Sequence, residues 1–434
     1  MTYQETIDFL FTRLPMFSRI GEAAYKKDLT NTLALCEICD NPHHKFKSIH
    51  IAGTNGKGSV SHMLAAIMQT AGYKTALYTS PHLHDFRERI RINGSPVDEQ
   101  YVIDFTQKMI PHIQEIEPSF FELTVAMAFS YFAAQKVDIA IIETGLGGRL
   151  DSTNVIQPEL SIITNIGWDH MNLLGNTKTL IAGEKAGIIK ARTPVVIGES
   201  LPETREVFEN KSSELQAPIF FAEEAYTILE YQIKNQTTLK IADTEGLELN
   251  FTLDLGGIYQ LKNILPVLSA IQQLKIAGWH ITDIHIKEAL TKVQLLTGLS
   301  GRWQRWENDP RIVLDVAHNE DGISQVIKQL AISNFNTLHI VIGMVKDKDI
   351  DNVLSILPEN ARYYFTQSSI PRALSADTLK QKASEYLLIG EANAKVEDAV
   401  AQARKNANEN DMILICGSVF IVGEAIEYLK KIKY

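Results

Sequence analysis

The chain has 434 residues, of which 45% are apolar, 22% charged and 8% aromatic. That length suits two domains rather than one core, and the composition excludes a disordered chain, a collagen-like fibre and a small disulfide scaffold. Forty-two Lys and Arg against 52 Asp and Glu leave a formal charge of −10, which argues against nucleic acid or an anionic membrane surface as a partner.

The first residues, MTYQETIDFLFTRLPMF, lack a basic segment followed by a clean apolar one, and no apolar run is long enough to span a bilayer. Three cysteines, Cys36, Cys39 and Cys416, leave an odd thiol; a cytoplasmic location is expected. Cys36-x-x-Cys39 with His43 and His44 has zinc-like spacing. No second finger-like pair accompanies it, and LALCEIC reads as the apolar end of a helix, so two small buried thiols are expected.

From Lys47 to Gly198 short β-branched runs (KSIHIA, KTALYTS, VDIAIIETG, LSIITNI, TPVVIGES) alternate with helical stretches. Such runs, buried on both faces, predict a parallel sheet in an α/β domain. The first is followed by Gly53-Thr54-Asn55-Gly56-Lys57-Gly58-Ser59 and a helical pattern. A strand, a glycine-rich turn and a helix start aim backbone N–H groups at an anion, and Lys57 adds a point charge for nucleotide phosphates. Gly58 stands where a general P-loop has the hydroxyl that binds Mg²⁺, so either Ser59 in a shifted register or Ser80, after the next strand, fills that role.

Two further runs end in chemistry, at Glu143 and at Trp168-Asp169-His170. In an open parallel sheet the carboxyl ends of strands share one edge, so Ser80, Glu143 and His170 are candidate metal ligands beside the phosphates. Oxygen ligands with phosphate suit Mg²⁺; the imidazole also suits Mn²⁺.

The stretch from Ala217 to Leu255 has β character without intervening helices and reads as a small antiparallel excursion before a helix near Tyr259. The glycines of Leu296–Arg302 (LTGLSGR) mark a boundary, giving domains 1–298 and 299–434. Beyond it RIVLDVAHN, LHIVIGMV, RYYFTQ, YLLIG and DMILICGS predict a second, smaller, Rossmann-like α/β domain.

Together these segments resemble the folylpolyglutamate synthase/dihydrofolate synthase family of the Mur ligase superfamily. The likeness rests on GTNGKGS (53–59), TSPHL (79–83), FFELT (120–124), ETGLGGRLDSTN (143–154), WDH (168–170), GEKAGIIK (183–190), GR (301–302), DVAHN (315–319), GMVKDKD (343–349) and CGS (416–418). It implies an N-terminal P-loop-type ATPase domain with a Rossmann-like glutamate-ligase domain behind it. It also implies ATP-driven addition of L-glutamate to folates, and to dihydropteroate as well, through an acyl phosphate.

The resemblance assigns Gly53–Ser59, Asn263, Arg302, Asp315 and His318 to ATP, and Lys57, His170 and Lys185 to catalysis. Ser80, Glu143 and His170 become Mg²⁺ ligands, and Lys185 a carbamylated lysine serving a second ion. Phe120, Phe121, Glu122, Leu123 and Asp151 line the pterin site. Arg87 stands where the family usually has asparagine, which bears on the pterin loop. A monomer is expected. Two rival readings are a cell-wall Mur ligase and a P-loop ATP-binding module without ligase activity. SPHL and FFELT, with no UDP-binding domain before the loop, weigh against the first. The nucleotide residues of the second domain weigh against the other.

Overall fold

A computed structural model of the chain describes residues 1–21, 26, 28–308, 311–346 and 348–432. Asp347, within the 343–349 motif, lies outside the described residues. The chain forms two compact units. The first holds Met1–His82, Phe86–Asp254 and Tyr259–Leu299; the second holds Leu83–Asp85, Leu255–Ile258 and Ser300–Tyr434.

The first unit is built on an eight-stranded sheet of order β4-β3-β2-β5-β1-β6-β7-β8, counted among the described residues. Its strands are β1 (Lys47–Ala52), β2 (Thr75–Tyr78), β3 (Ile90–Ile92), β4 (Ser95–Pro96), β5 (Ile139–Glu143), β6 (Leu160–Ile163), β7 (Val195–Ile197) and β8 (Ile219–Phe221). From β2 to β8 all pairings are parallel; β3 and β4 add an antiparallel edge. Every residue of β5 and β6 is buried. Since neighbouring side chains point to opposite faces, helices must cover both. Ala140 and Ile142 pack with Phe129 and Phe132 of the helix Phe120–Ala134. Ile163, Val195 and Ile197 join a second cluster with Ile181 and Ala182 of the helix Lys178–Ala186.

Register sets the chemistry. Ile51 pairs with Glu143, Tyr78 with Ile142 and Ala52 with Ile163. The carboxyl ends of β2, β5, β1 and β6 therefore finish side by side on one edge of the sheet.

The polar stretch forms an antiparallel sheet of β9 (Tyr226–Ile233), β10 (Thr237–Asp243) and β11 (Glu248–Leu253). Its first residues, however, belong to β8 of the main sheet. The helix Gln260–Ile276 follows.

The second unit carries β12 (Gln304–Asn308), β13 (Arg311–Leu314), β14 (Leu338–Ile342), β15 (Arg362–Thr366), β16 (Gly390–Asn393) and β17 (Met412–Cys416). Their order is β12-β13-β17-β14-β15-β16, parallel except for β12. Both sheets match the expected α/β class. YLLIG departs from expectation: Leu387 takes φ 59° in the turn after the helix Ala376–Ser384, so β16 begins only at Gly390. Leu388 is apolar and buried without being in a strand, and periodicity alone does not separate the two.

LALCEIC ends the helix Thr30–Ile38, and burial pushes the Cys36 thiol up to about 12. Among the described residues no helix is long and apolar enough to cross a membrane.

Candidate active site

Between β1 and the helix Lys57–Thr70 the chain turns through four residues. Gly53 adopts φ 147°, and a Cβ there would lie 1.9 Å from the Thr164 hydroxyl oxygen. Gly56 caps the helix at φ 85°, where a Cβ would stand 2.3 Å from Asn263 Oδ1. Only glycine fits either position without displacing a neighbour. The amides of Thr54 and Asn55 donate to the backbone oxygen (3.0 Å) and side-chain oxygen (2.9 Å) of Asn165, and Thr164 donates to the Asn55 carbonyl at 2.6 Å. Thr54 also meets the Gly167 backbone through its hydroxyl. The turn is thus clamped by the end of β6 and held at a helix N-terminus, where unbonded N–H groups and the helix dipole favour an anion.

The hydroxyl of Ser59 is fully buried and accepts from Gln260 Nε2 at 3.2 Å. Gln260 in turn accepts from Asn263 Nδ2 at 2.8 Å, which aims the Asn263 oxygen at the turn. Ser80 sits elsewhere, its amide donating to Glu143 Oε2 at 3.4 Å. A hydroxyl and a buried carboxylate are hard oxygen donors of the kind Mg²⁺ takes.

His170 caps the short helix Met171–Leu174 at φ 51°. Its ring lies edge-on to Phe17, 5.7 Å between centroids, with Nε2 3.8 Å from Asp169 Oδ1. Sequence placed it with Ser80 and Glu143, and the hydrogen bond from the Ser80 amide to Glu143 joins those two. Among the described residues no group of three His, Cys, Asp or Glu side chains forms a metal-sized cluster.

Two lysines meet at one oxygen. Lys57 Nζ donates to the carbonyls of Gly53 at 3.0 Å and Thr54 at 3.2 Å, while Lys185 Nζ reaches the same Gly53 oxygen at 2.8 Å. Lys185 is buried, and burial first, then the neighbouring Lys57 charge, bring its ammonium down to about 7, against the pull of Asp169 and Asp151. A deprotonated amine is the form that adds to CO₂.

The candidate pterin residues divide. Phe120 packs edge-on to Phe11 and Phe86, and Leu123 is fully buried in the same core. Glu122 caps its own helix, accepting from the Ser119 amide at 2.7 Å. Phe121 is partly buried and touches Gly145. The carboxylate of Asp151 receives four donors from its own loop: the Gly145 and Leu146 amides on one oxygen, the Thr153 amide and hydroxyl on the other. Those fill a carboxylate's lone pairs.

Thr164, Asn165 and Gln260 escaped sequence reasoning because their polar atoms serve the turn from other elements. Arg89 escaped too. It is buried, donates through Nε to His82 Nδ1 at 2.7 Å, and stacks its guanidinium over Phe120 at 5.3 Å. The signal available was the charged ERIRI run (88–92), four residues after TSPHL.

In the second unit Asp315, after β13, accepts from the Trp303 and Ala317 amides, both at 2.9 Å. This ties the loop carrying Arg302 to the DVAHN segment. Arg302 Nη1 donates to the Gly301 carbonyl, and His318 Nδ1 meets the Val316 carbonyl at 2.9 Å.

Residues 51–271 match the Mur ligase middle domain and 301–419 the Mur ligase glutamate ligase domain. The dihydrofolate synthase/folylpolyglutamate synthase of Bacillus subtilis is 34% identical over 439 residues, covering 99% of each chain. The chain belongs to the folylpolyglutamate synthase/dihydrofolate synthase family of Mur ligases. Membership makes it an ATP-dependent amide-forming ligase. Among solved structures of the family, Escherichia coli FolC in complex with DHPP and ADP superposes with a TM-score of 0.87 at 26% identity, covering 100% of this chain and 99% of that one. A bifunctional folylpolyglutamate synthase/dihydrofolate synthase with Mn, AMPPNP and L-glutamate bound gives 0.83 at 28% identity, covering 99% and 98%.

Proposed function

We propose that this enzyme joins L-glutamate to reduced folates and accepts dihydropteroate at the same site. The observation that carries the reading is the clamped 53–59 turn with Lys57 and Lys185 on one carbonyl, within a chain that matches bifunctional relatives over its whole length.

Joining a carboxylate to an amine in water is uphill, so the carboxylate must first be activated. The folate carboxylate attacks the γ-phosphorus of ATP, forming an acyl phosphate and releasing ADP. The amine of glutamate then attacks the acyl carbon, and the tetrahedral adduct collapses with loss of phosphate. The protein mainly positions the reactants and stabilises charge. Lys57 and the amides of Gly53–Ser59 hold the phosphates, with Asn263, Arg302, Asp315 and His318 assigned to the rest of ATP.

The hydroxyl of Ser80 and the carboxylate of Glu143 suit Mg²⁺, with Mn²⁺ as an alternative; His170 is assigned to the same ion, and carbamylated Lys185 to a second. When bound, such ions neutralise charge on the phosphate oxygens. Phe121 and the loop braced by Asp151 are assigned to the pterin side, with Phe120, Glu122 and Leu123 forming the wall behind. Three thiols without a disulfide suit a reducing cytoplasm, and we place the enzyme there as a monomer.

The deciding assay offers purified protein ATP, Mg²⁺ and glutamate with either dihydropteroate or tetrahydrofolate. Phosphate release and a product heavier by one glutamyl residue are expected with both acceptors. ATP turnover that ignores both acceptors would sink the reading.

A further inference from the structure

A buried polar chain links β1 to the Asp151 loop, and its first two members have no part in the reaction scheme above. His50, in the middle of β1, is fully buried, and its Nε2 sits 2.8 Å from the Thr153 hydroxyl oxygen. That hydroxyl is 2.5 Å from Asp151 Oδ1, and the other oxygen of Asp151 holds the amides of Gly145 at 2.9 Å and Leu146 at 2.8 Å. Gly145 rests on the ring of Phe121: a Cβ there would come within 2.4 Å of Phe121 Cζ.

Proton counting orders the chain. A carboxylate only accepts, so the single Thr153 proton points to Asp151 and the Thr153 lone pair must receive a proton from His50. His50 is therefore the Nε2–H tautomer. Burial first, and the nearby Lys190 charge second, keep the ring neutral by bringing its pKa down to about 3. Its Nδ1 is buried without a partner. An orphaned buried acceptor is unfavourable, and an apolar side chain of similar shape would avoid it. The feature that distinguishes histidine here is the donor it supplies.

We infer that His50 is a positioning residue of the folate site: through Thr153 it fixes the Asp151 carboxylate, which sets the 143–148 loop against Phe121. This rests on the assignment of Asp151 and Phe121 to the folate side, so the test separates the two ideas.

KM for tetrahydrofolate, KM for ATP and kcat are measured for His50→Leu, His50→Gln, Thr153→Val and Asp151→Asn, with thermal melts alongside. Loss of the bond from His50 to Thr153 predicts about a tenfold rise in folate KM for His50→Leu, and Thr153→Val, which also removes the bond to Asp151, raises it at least as much, with ATP KM changed by less than about twofold in both. Glutamine carries an Nε2 donor at similar reach, so His50→Gln restores most of the folate KM. Equal losses in folate KM, ATP KM and kcat, or no rescue by glutamine, would overturn the inference and leave His50 a packing residue. If Asp151→Asn raises folate KM and the other substitutions do not, the relay fails alone. If Asp151→Asn leaves folate KM unchanged, the folate assignment of the loop fails first. Should His50→Leu not fold, Thr153→Val cuts the same link outside the sheet.

Discussion

Lys185 is the residue on which the proposed carbamate rests. Its ammonium is brought down to about 7 by burial and by Lys57, so the neutral amine is the major form above that pH and a minor one below it. Only the neutral amine forms a carbamate. After bicarbonate is stripped from the enzyme, activity should return about tenfold more slowly at pH 6 than at pH 8 when both solutions are held at the same dissolved CO₂, following the neutral fraction. The time course of reactivation reads this directly, and Lys185→Ala should show no such recovery. Equal rates at both pH values would contradict the carbamate.

The turn is equally exacting. Gly56→Ala places a methyl group 2.3 Å from Asn263 Oδ1 in a backbone region unfavourable to L-residues. Its expected outcome is a raised KM for ATP with the folate KM little changed.

Among elements, the helix Phe120–Ala134 shows how function and folding share residues. Ser119 and Glu122 form a reciprocal capping box at its start, and Asn31 adds a second donor to the Glu122 carboxylate at 3.3 Å. Ser119→Ala should cost about 1 kcal/mol of stability, the usual worth of an N-cap, and would appear as a lowered melting temperature. The strand–turn–helix order, the parallel sheet and the placement of Lys57 and Glu143 on one edge were legible in the sequence, because apolar runs and glycine spacing are local signals. The clamp on the turn was not. Thr164, Asn165 and Gln260 reach it from β6 and a later helix, and nothing local distinguishes their polar atoms from surface ones. Glu122 and Asp151 stood out in their motifs, yet their hydrogen bonds run to a cap and to a loop, which spacing does not reveal. YLLIG misled for a related reason, since a helix end and a buried strand look alike over five residues.

At the scale of the molecule, acidity bears on the second unit through His339. This residue of β14 is fully buried, with Nδ1 3.0 Å from the Tyr364 hydroxyl and Nε2 3.5 Å from Asp411 Oδ2. Burial lowers its pKa, opposed by Asp411 and aided by the charge of Arg362. A folded-state value below the unfolded one means that the unfolded chain takes up the proton first. Stability is whole above about pH 6.5, the unfolded value, and declines as pH falls through the folded one. Urea titrations between pH 7.5 and 5 should show that decline, and His339→Gln should flatten it.

The net charge of −10 also takes on a sharper meaning, because ATP, folate and glutamate are all anions. Their attraction must come from local groups such as Lys57 and the helix N-terminus after Gly56, against the overall charge of the chain.

The membership of residues 83–85 and 255–258 in the second unit has a consequence for synthesis. Leucine 83 leaves the ribosome some two hundred residues before Ser300, and in the finished unit its backbone lies close enough to Gly423 that a Cβ there would meet its carbonyl at 2.2 Å. The unit's earliest piece must therefore wait for its last helix. A chain halted at Leu299 would keep that piece and lack its partners, and a fragment begun at Ser300 would have the reverse defect. Translation order, and not only sequence, thus decides when this part of the enzyme can close its own core.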